Sequence, residues 1–214
     1  MIRLFASYLR ERFRLTVFGP AIALHVSSIM WANDTAPTAR TVIQSAGLIT
    51  LMMIQFRLWD DLEDRERDRL QHPERLLVHT ETTPFWRVLA ALALLNVAWM
   101  AASGSRVAMI GLVLLNLTFW FAYRRVRPQI SDFIWRFQVL LFKYPAFVVL
   151  VAAAWGASRV GRLAAAAVVI YASACVYEAL HQRRESTAEG TSTPPRATPA
   201  RVGDPGGCAT RVTS

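Results

Sequence analysis

The segment Val42-Ile43-Gln44-Ser45-Ala46-Gly47-Leu48-Ile49-Thr50-Leu51-Met52-Met53-Ile54-Gln55-Phe56-Arg57-Leu58-Trp59 runs directly into Asp60-Asp61-Leu62-Glu63-Asp64-Arg65-Glu66-Arg67-Asp68. Its first part is close to the length of about 20 apolar residues that crosses a bilayer as a helix. Its second part alternates acids with arginines. If the helix continues, steps of three and four residues put Asp61, Asp64 and Asp68 on one face, with Asp60 beside them. Like charges at that spacing repel, so left bare they lower stability. A hard divalent cation relieves the repulsion, because Mg2+ takes oxygen ligands and favours one or two carboxylates together with substrate phosphates and waters. An acidic cluster at the mouth of a membrane helix therefore points to a seat for Mg2+ and a diphosphate. The plainer alternative is a solvated acidic turn neutralised by Arg65, Arg67 and Arg69.

Working outward, over half of the 214 residues are hydrophobic, yet the formal charge is +9. That pairing is ordinary for a polytopic membrane protein, whose basic residues gather in the loops of one side. Apolar stretches near the spanning length recur at residues 15–31, 42–59, 84–102, 107–123, 133–155 and 160–180. The fold class they imply is all-α, an antiparallel bundle of about six transmembrane helices, since helices satisfy every backbone group in lipid. Residues 3–14 are basic and precede an apolar run in the manner of a secretory signal, but no small-residue cleavage site follows, so the segment is expected to remain as a helix of the mature chain. Arginines crowd the connections before the first span, after the second and fourth, and at the end of the sixth. The positive-inside bias thus puts both termini and the acidic motif in the cytoplasm. The expected location is a plasma membrane, of the bacterial inner-membrane kind. Residues 1–184 form the membrane domain, whereas residues 185–214 are rich in Ser, Thr, Pro, Gly and Arg and are expected to be disordered. The basic tail suits anionic lipid headgroups, and no fold accompanies it that would bind nucleic acid. Cys175 and Cys208 make no metal spacing and no disulfide framework.

Within the spans, Pro20 should kink the first helix, and His25 one turn deeper is expected to pack or hydrogen-bond. Gln44, Gln55, Asn96 and Asn116 suit interhelical hydrogen bonds. Arg57, one turn before the acids, either snorkels to the interface or contacts a phosphate. Lys143 lies ten residues into the fifth span, ~15 Å deep at ~1.5 Å per residue. A cation there is costly and marks function by default. The spans as drawn offer it no carboxylate at that depth. Pro145 should kink the same helix and free a carbonyl. Arg136, seven residues before Lys143 and on its face, would hold a diphosphate with it. Glu178 and His181, three residues apart at the end of the sixth span, would face the first motif as the second half of a clamp. Taken alone they are also an ordinary helix-end pair.

Asp60-Asp61-x-x-Asp64-x-x-x-Asp68, leading into His72-Pro73-Glu74-Arg75, resembles the first aspartate-rich motif of the UbiA-type intramembrane prenyltransferases. That motif usually reads Asn-Asp-x-x-Asp-x-x-x-Asp and is commonly trailed by Pro-x-Arg-Pro. Here the leading Asn is Asp60, and Leu76 follows Arg75. Tyr123-Arg124-Arg125 is similar to the family's Tyr-x-x-x-Lys/Arg boundary. The resemblance covers roughly residues 10 to 182.

It implies Mg2+-dependent transfer of an isoprenyl group from its diphosphate to an aromatic or lipid acceptor or, in one branch, phosphoribosyl transfer to a polyprenyl phosphate. Asp60, Asp61, Asp64 and Asp68 would match the metal motif. Asp61, Asp64 and Lys143 are the expected catalytic set, and Arg57, Arg65, Arg124, Arg136, Lys143, Glu178 and His181 the expected substrate contacts. The family has about nine spans and an Asp-rich second motif where this chain has Glu178 and His181. A compact subfamily, a homo-oligomer completing its own cavity and a truncated reading frame each fit that difference. A second expectation is therefore a catalytically degenerate isoprenoid-binding or partner protein of the same fold. A transporter would need more ionisable residues along a path than Lys143 and His25.

Overall fold

The computed structural model describes residues 1–33, 36–126 and 140–191, with side chains through 180. Every regular element among the described residues is helical. The order is α1 (Ile2–Arg12), α2 (Leu15–Ala32), α3 (Ala39–Glu63), α4 (Arg65–Gln71), α5 (Leu76–His79), α6 (Thr83–Ala102), α7 (Arg106–Phe121), a π-helical turn (Ala122–Val126), α8 (Lys143–Ala154) and α9 (Val160–Thr191). Five of these helices are long and apolar enough to cross a membrane, namely α2, α3, α6, α7 with its π-turn, and α9, as expected of an integral membrane protein. The fifth expected span, 133–155, is described only from residue 140: residues 140 and 141 are helical, and α8 follows with 12 apolar residues. Residues 127–139, including Arg136 and Gln138, lie outside the described residues.

Central to the bundle is α3, which packs on α2, α6 and α8. It starts at a capping box in which Thr38 and Thr41 satisfy each other's backbone N–H groups. Leu48, Ile49, Met52, Phe56 and Leu58 are fully enclosed, so residues on several sides of this helix meet protein. By contrast α7 leaves Val107, Ile110, Leu114, Leu117, Trp120 and Phe121 uncovered, a face suited to lipid. Tight reversals follow α6 and α8 at Gly104 and Gly156, whose φ values of 83° and 81° favour a residue without Cβ.

Proline acts differently at its two expected kinks. Helix α2 runs through Pro20 without ending there. At Pro145 the helical pattern breaks upstream, at Phe142, and restarts at Lys143. The ring would clash with the carbonyl four residues back, Leu141, and in a first turn the missing N–H costs nothing.

His25 is buried, donates from Nδ1 to the Ala21 carbonyl at 2.7 Å and meets the rings of Tyr144 and Phe147. Three amides join α6, α3 and α7. Asn96 Nδ2 donates to Gln55 Oε1 at 2.8 Å, and Gln55 Nε2 donates to Asn116 Oδ1 at 2.6 Å. Asn116 Nδ2 in turn donates to the Leu112 carbonyl at 2.8 Å. The interhelical role expected of these three residues is realised.

The described residues form two compact units, residues 1–177 and the unit beginning at Glu178, with α9 passing through the boundary. Helix α9 continues to Thr191, past the expected start of a disordered tail at 185. Residues 192–214 lie outside the described residues.

Gln55→Leu should leave Asn96 and Asn116 short of a partner in a water-free interior, at a cost of about 1–3 kcal/mol. The expected outcome is a lower unfolding midpoint in detergent, larger than for a lipid-facing change such as Leu117→Ala. Equal midpoints would remove the triad from the stability account.

Candidate functional site at the Asp60–Asp61 end of the bundle

Adjacent residues on a helix point about 100° apart. Asp60 and Asp61 therefore face different neighbours. Asp60 turns toward α8 and the end of α7, where the Lys143 ammonium and the Tyr123 hydroxyl both donate to its carboxylate. The Lys143 side chain is 4% exposed and that of Asp60 13%, so this is a largely desolvated pair. Lys143 was expected to lack a carboxylate at its depth. It has one, because packing of α8 on α3 sets Lys143 level with Asp60 near the end of α3.

Asp61 turns toward α1. Arg12 donates to both of its oxygens, Nη2 to Oδ1 at 2.6 Å and Nε to Oδ2 at 2.9 Å. The Tyr8 hydroxyl donates to Oδ2 at 2.9 Å, and Arg57, one turn back on α3, reaches Oδ1 at 3.3 Å. A carboxylate 6% exposed needs such company, since a lone buried charge is far costlier than a paired one. Tyr8 packs its ring against Phe85 at the start of α6. Burial and the neighbouring Asp61 charge hold its hydroxyl proton well above the ordinary phenol value of 10.0.

The shared acidic face expected from a continuing helix does not form. Helix α3 ends at Glu63, Asp64 serves as its C-cap, and α4 begins at Arg65. Asp68 is buried and paired with Arg75. The nearby arginines are engaged elsewhere: Arg65 donates to the carbonyls of Leu77, Val78 and Thr80 and thereby holds the loop after α5. Arg67 donates to Gln71 and Arg69 pairs with Glu66. Arg12 and Arg57 lie on Asp61, Lys143 on Asp60 and Arg75 on Asp68. Arg124 is exposed and lies over the Trp120 ring at 5.3 Å. Glu178 belongs to the second unit, and the His181 side chain is outside the described ones.

Among the described residues, no group of three or more His, Cys, Asp or Glu side chains gathers as a metal seat. Oxygen donors of this kind suit Mg2+ chemically. As arranged they do not fit a resident ion, because Asp60, Asp61 and Asp68 each hold a cationic partner from a different direction.

Two site residues were not singled out from sequence, Tyr8 and Arg12. The signal was present: they are one turn apart on a helix whose Leu4, Phe5 and Leu9 also face the core. Arg12→Gln should destabilise by about 1–3 kcal/mol, and Asp61→Asn by about 3–5 kcal/mol because it strands two arginines. The double variant should lose less than the sum, measured by unfolding in mixed detergent. Strict additivity would show that the pair does not couple. No family model, no curated protein and no solved structure matches the chain.

Proposed function

We propose that the chain is an integral-membrane transferase of UbiA-like fold that moves an isoprenyl group from its diphosphate to an aromatic or lipid acceptor. The observation that carries this reading is the meeting of Asp60, Asp61, Arg12, Arg57, Tyr123 and Lys143, from four elements, at one end of the bundle. A diphosphate on an isoprenyl chain has the matching duality, with one highly charged end and one apolar end. In this reading the apolar chain lies among the helices, and the diphosphate takes Lys143 and Arg57 in exchange for their carboxylates. Mg2+ enters with the diphosphate as part of the substrate, since phosphate oxygens supply most of its ligands and only one or two carboxylates are needed. Asp60, once released by Lys143, and Asp64 are the carboxylates that would contact an ion carried by the substrate, which would add to the cations' stabilisation of the leaving group.

The carbon–oxygen bond to diphosphate then breaks with its electron pair going to the leaving group, whose charge the cations stabilise. The resulting allylic cation bonds to an electron-rich atom of the acceptor, which loses a proton. With the termini and the acids placed by the positive-inside bias, the site opens to the cytoplasm.

The pairing of Asp60, Asp61 and Asp68 each with its own cation favours a second reading, a catalytically silent protein of the same fold that binds isoprenoid or a partner subunit. One experiment separates the two. Membranes carrying the chain are incubated with labelled isoprenyl diphosphates and Mg2+, and both bound label and released diphosphate are measured. Transfer activity predicts a lipid-soluble product, with Asp60→Asn and Lys143→Met each lowering turnover by about 100-fold or more. Saturable binding without product selects the silent reading. Neither binding nor product overturns both.

A further inference from the structure

Helix α1 carries two chemically distinct sides. Inward, Leu4, Phe5 and Leu9 pack on the core, Tyr8 and Arg12 hold Asp61, and the Glu11 carboxylate accepts the Leu76 N–H at 3.3 Å. Outward, Arg3, Ala6, Ser7 and Arg10 are exposed, and Arg14 is exposed in the link to α2. Arg3 and Arg10 are two turns apart and share a side. Among the described residues, neither they nor Arg14 has a carboxylate partner. The one acid of α1, Glu11, faces inward and accepts the Leu76 N–H. At ~1.5 Å per residue the helix is ~16 Å long, too short to cross a bilayer. Its contacts, Asp61, Leu76 and Phe85, lie where α3 ends and α6 begins. It therefore lies over that end of the bundle rather than extending α2. The Met1 and Ile2 side chains are exposed.

We infer that α1 is an interfacial strap whose outer face binds the anionic phospholipid headgroups of the adjacent leaflet while its inner face is locked on Asp61. The two-pronged Arg12–Asp61 contact stops α1 from turning about its own axis, which keeps Arg3 and Arg10 pointed outward. A short helix whose outward charges are all basic suits the interface, and each arginine near an anionic surface strengthens binding on the order of fivefold. The lock on Asp61 and the hold on lipid then act on the same helix, so either one favours the other. This inference stands apart from the transferase reading.

The test uses the full chain in nanodiscs of phosphatidylcholine alone or mixed with phosphatidylglycerol, read by hydrogen exchange of residues 2–14. Anionic lipid should slow exchange across α1 by on the order of tenfold, and added salt should erase the difference. Arg3→Gln, Arg10→Gln and Arg14→Gln combined should also erase it. Arg12→Gln should speed exchange in both lipids. Equal exchange in the two lipids, slowing that survives the triple substitution, or equal slowing in α6 and α7 overturns the proposal. Because turnover is not read, failure of the transferase reading leaves this result unaffected.

Discussion

Two consecutive carboxylates at the end of a buried helix cannot be served by one neighbour. The ~100° step between them sends Asp60 and Asp61 to different flanks of α3, and each must find a cation out of water. Asp60 takes Lys143 and Tyr123, which ties α3 to α8 and the end of α7. Asp61 takes Arg12 and Tyr8, which ties it to α1, with Arg57 closing the set from α3 itself. Much of the arrangement at this end of the bundle follows from that division. The helix break at Asp64 and the pairing of Asp68 with Arg75 extend it, since each acid is drawn to its own partner and not to a common centre.

The interior repeats the same logic with uncharged groups. In a lipid-embedded bundle, burying apolar side chains between helices gives little preference over leaving them in lipid, so close packing and hydrogen bonds set which helices touch. The Asn96–Gln55–Asn116 chain supplies such a register between α6, α3 and α7. At one end, then, charge pairs specify the neighbours of α3, and deeper in, amides do. Such partnered networks can confer specificity without contributing much net stability, because desolvation offsets most of the attraction.

That combination also frames the choice between a transferase and a silent relative. A substrate that brings its own negative charge can take over the cations, and an incoming divalent ion can take over the acids, so an ion-paired resting arrangement is compatible with exchange. The same pairing is equally what a protein without such a substrate would need merely to fold. Chemistry at this site depends on which partner Lys143 and Arg57 prefer.

Hydropathy and charge alone were enough to read the helical class, the repeated apolar spans and the interhelical role of Gln55, Asn96 and Asn116, because these follow from local composition and helical spacing. The partner of Lys143 was not legible, since it depends on how α8 packs on α3, and the Pro145 ring acts on a residue behind it to end the preceding turn at Phe142. Nor was the docking of α1, which joins residues 49 and 53 positions apart in the chain. Spacing along one helix predicts which side chains share a face. Only the tertiary structure decides which charge from another helix meets that face, because this depends on how distant segments stack and not on the order of residues within either.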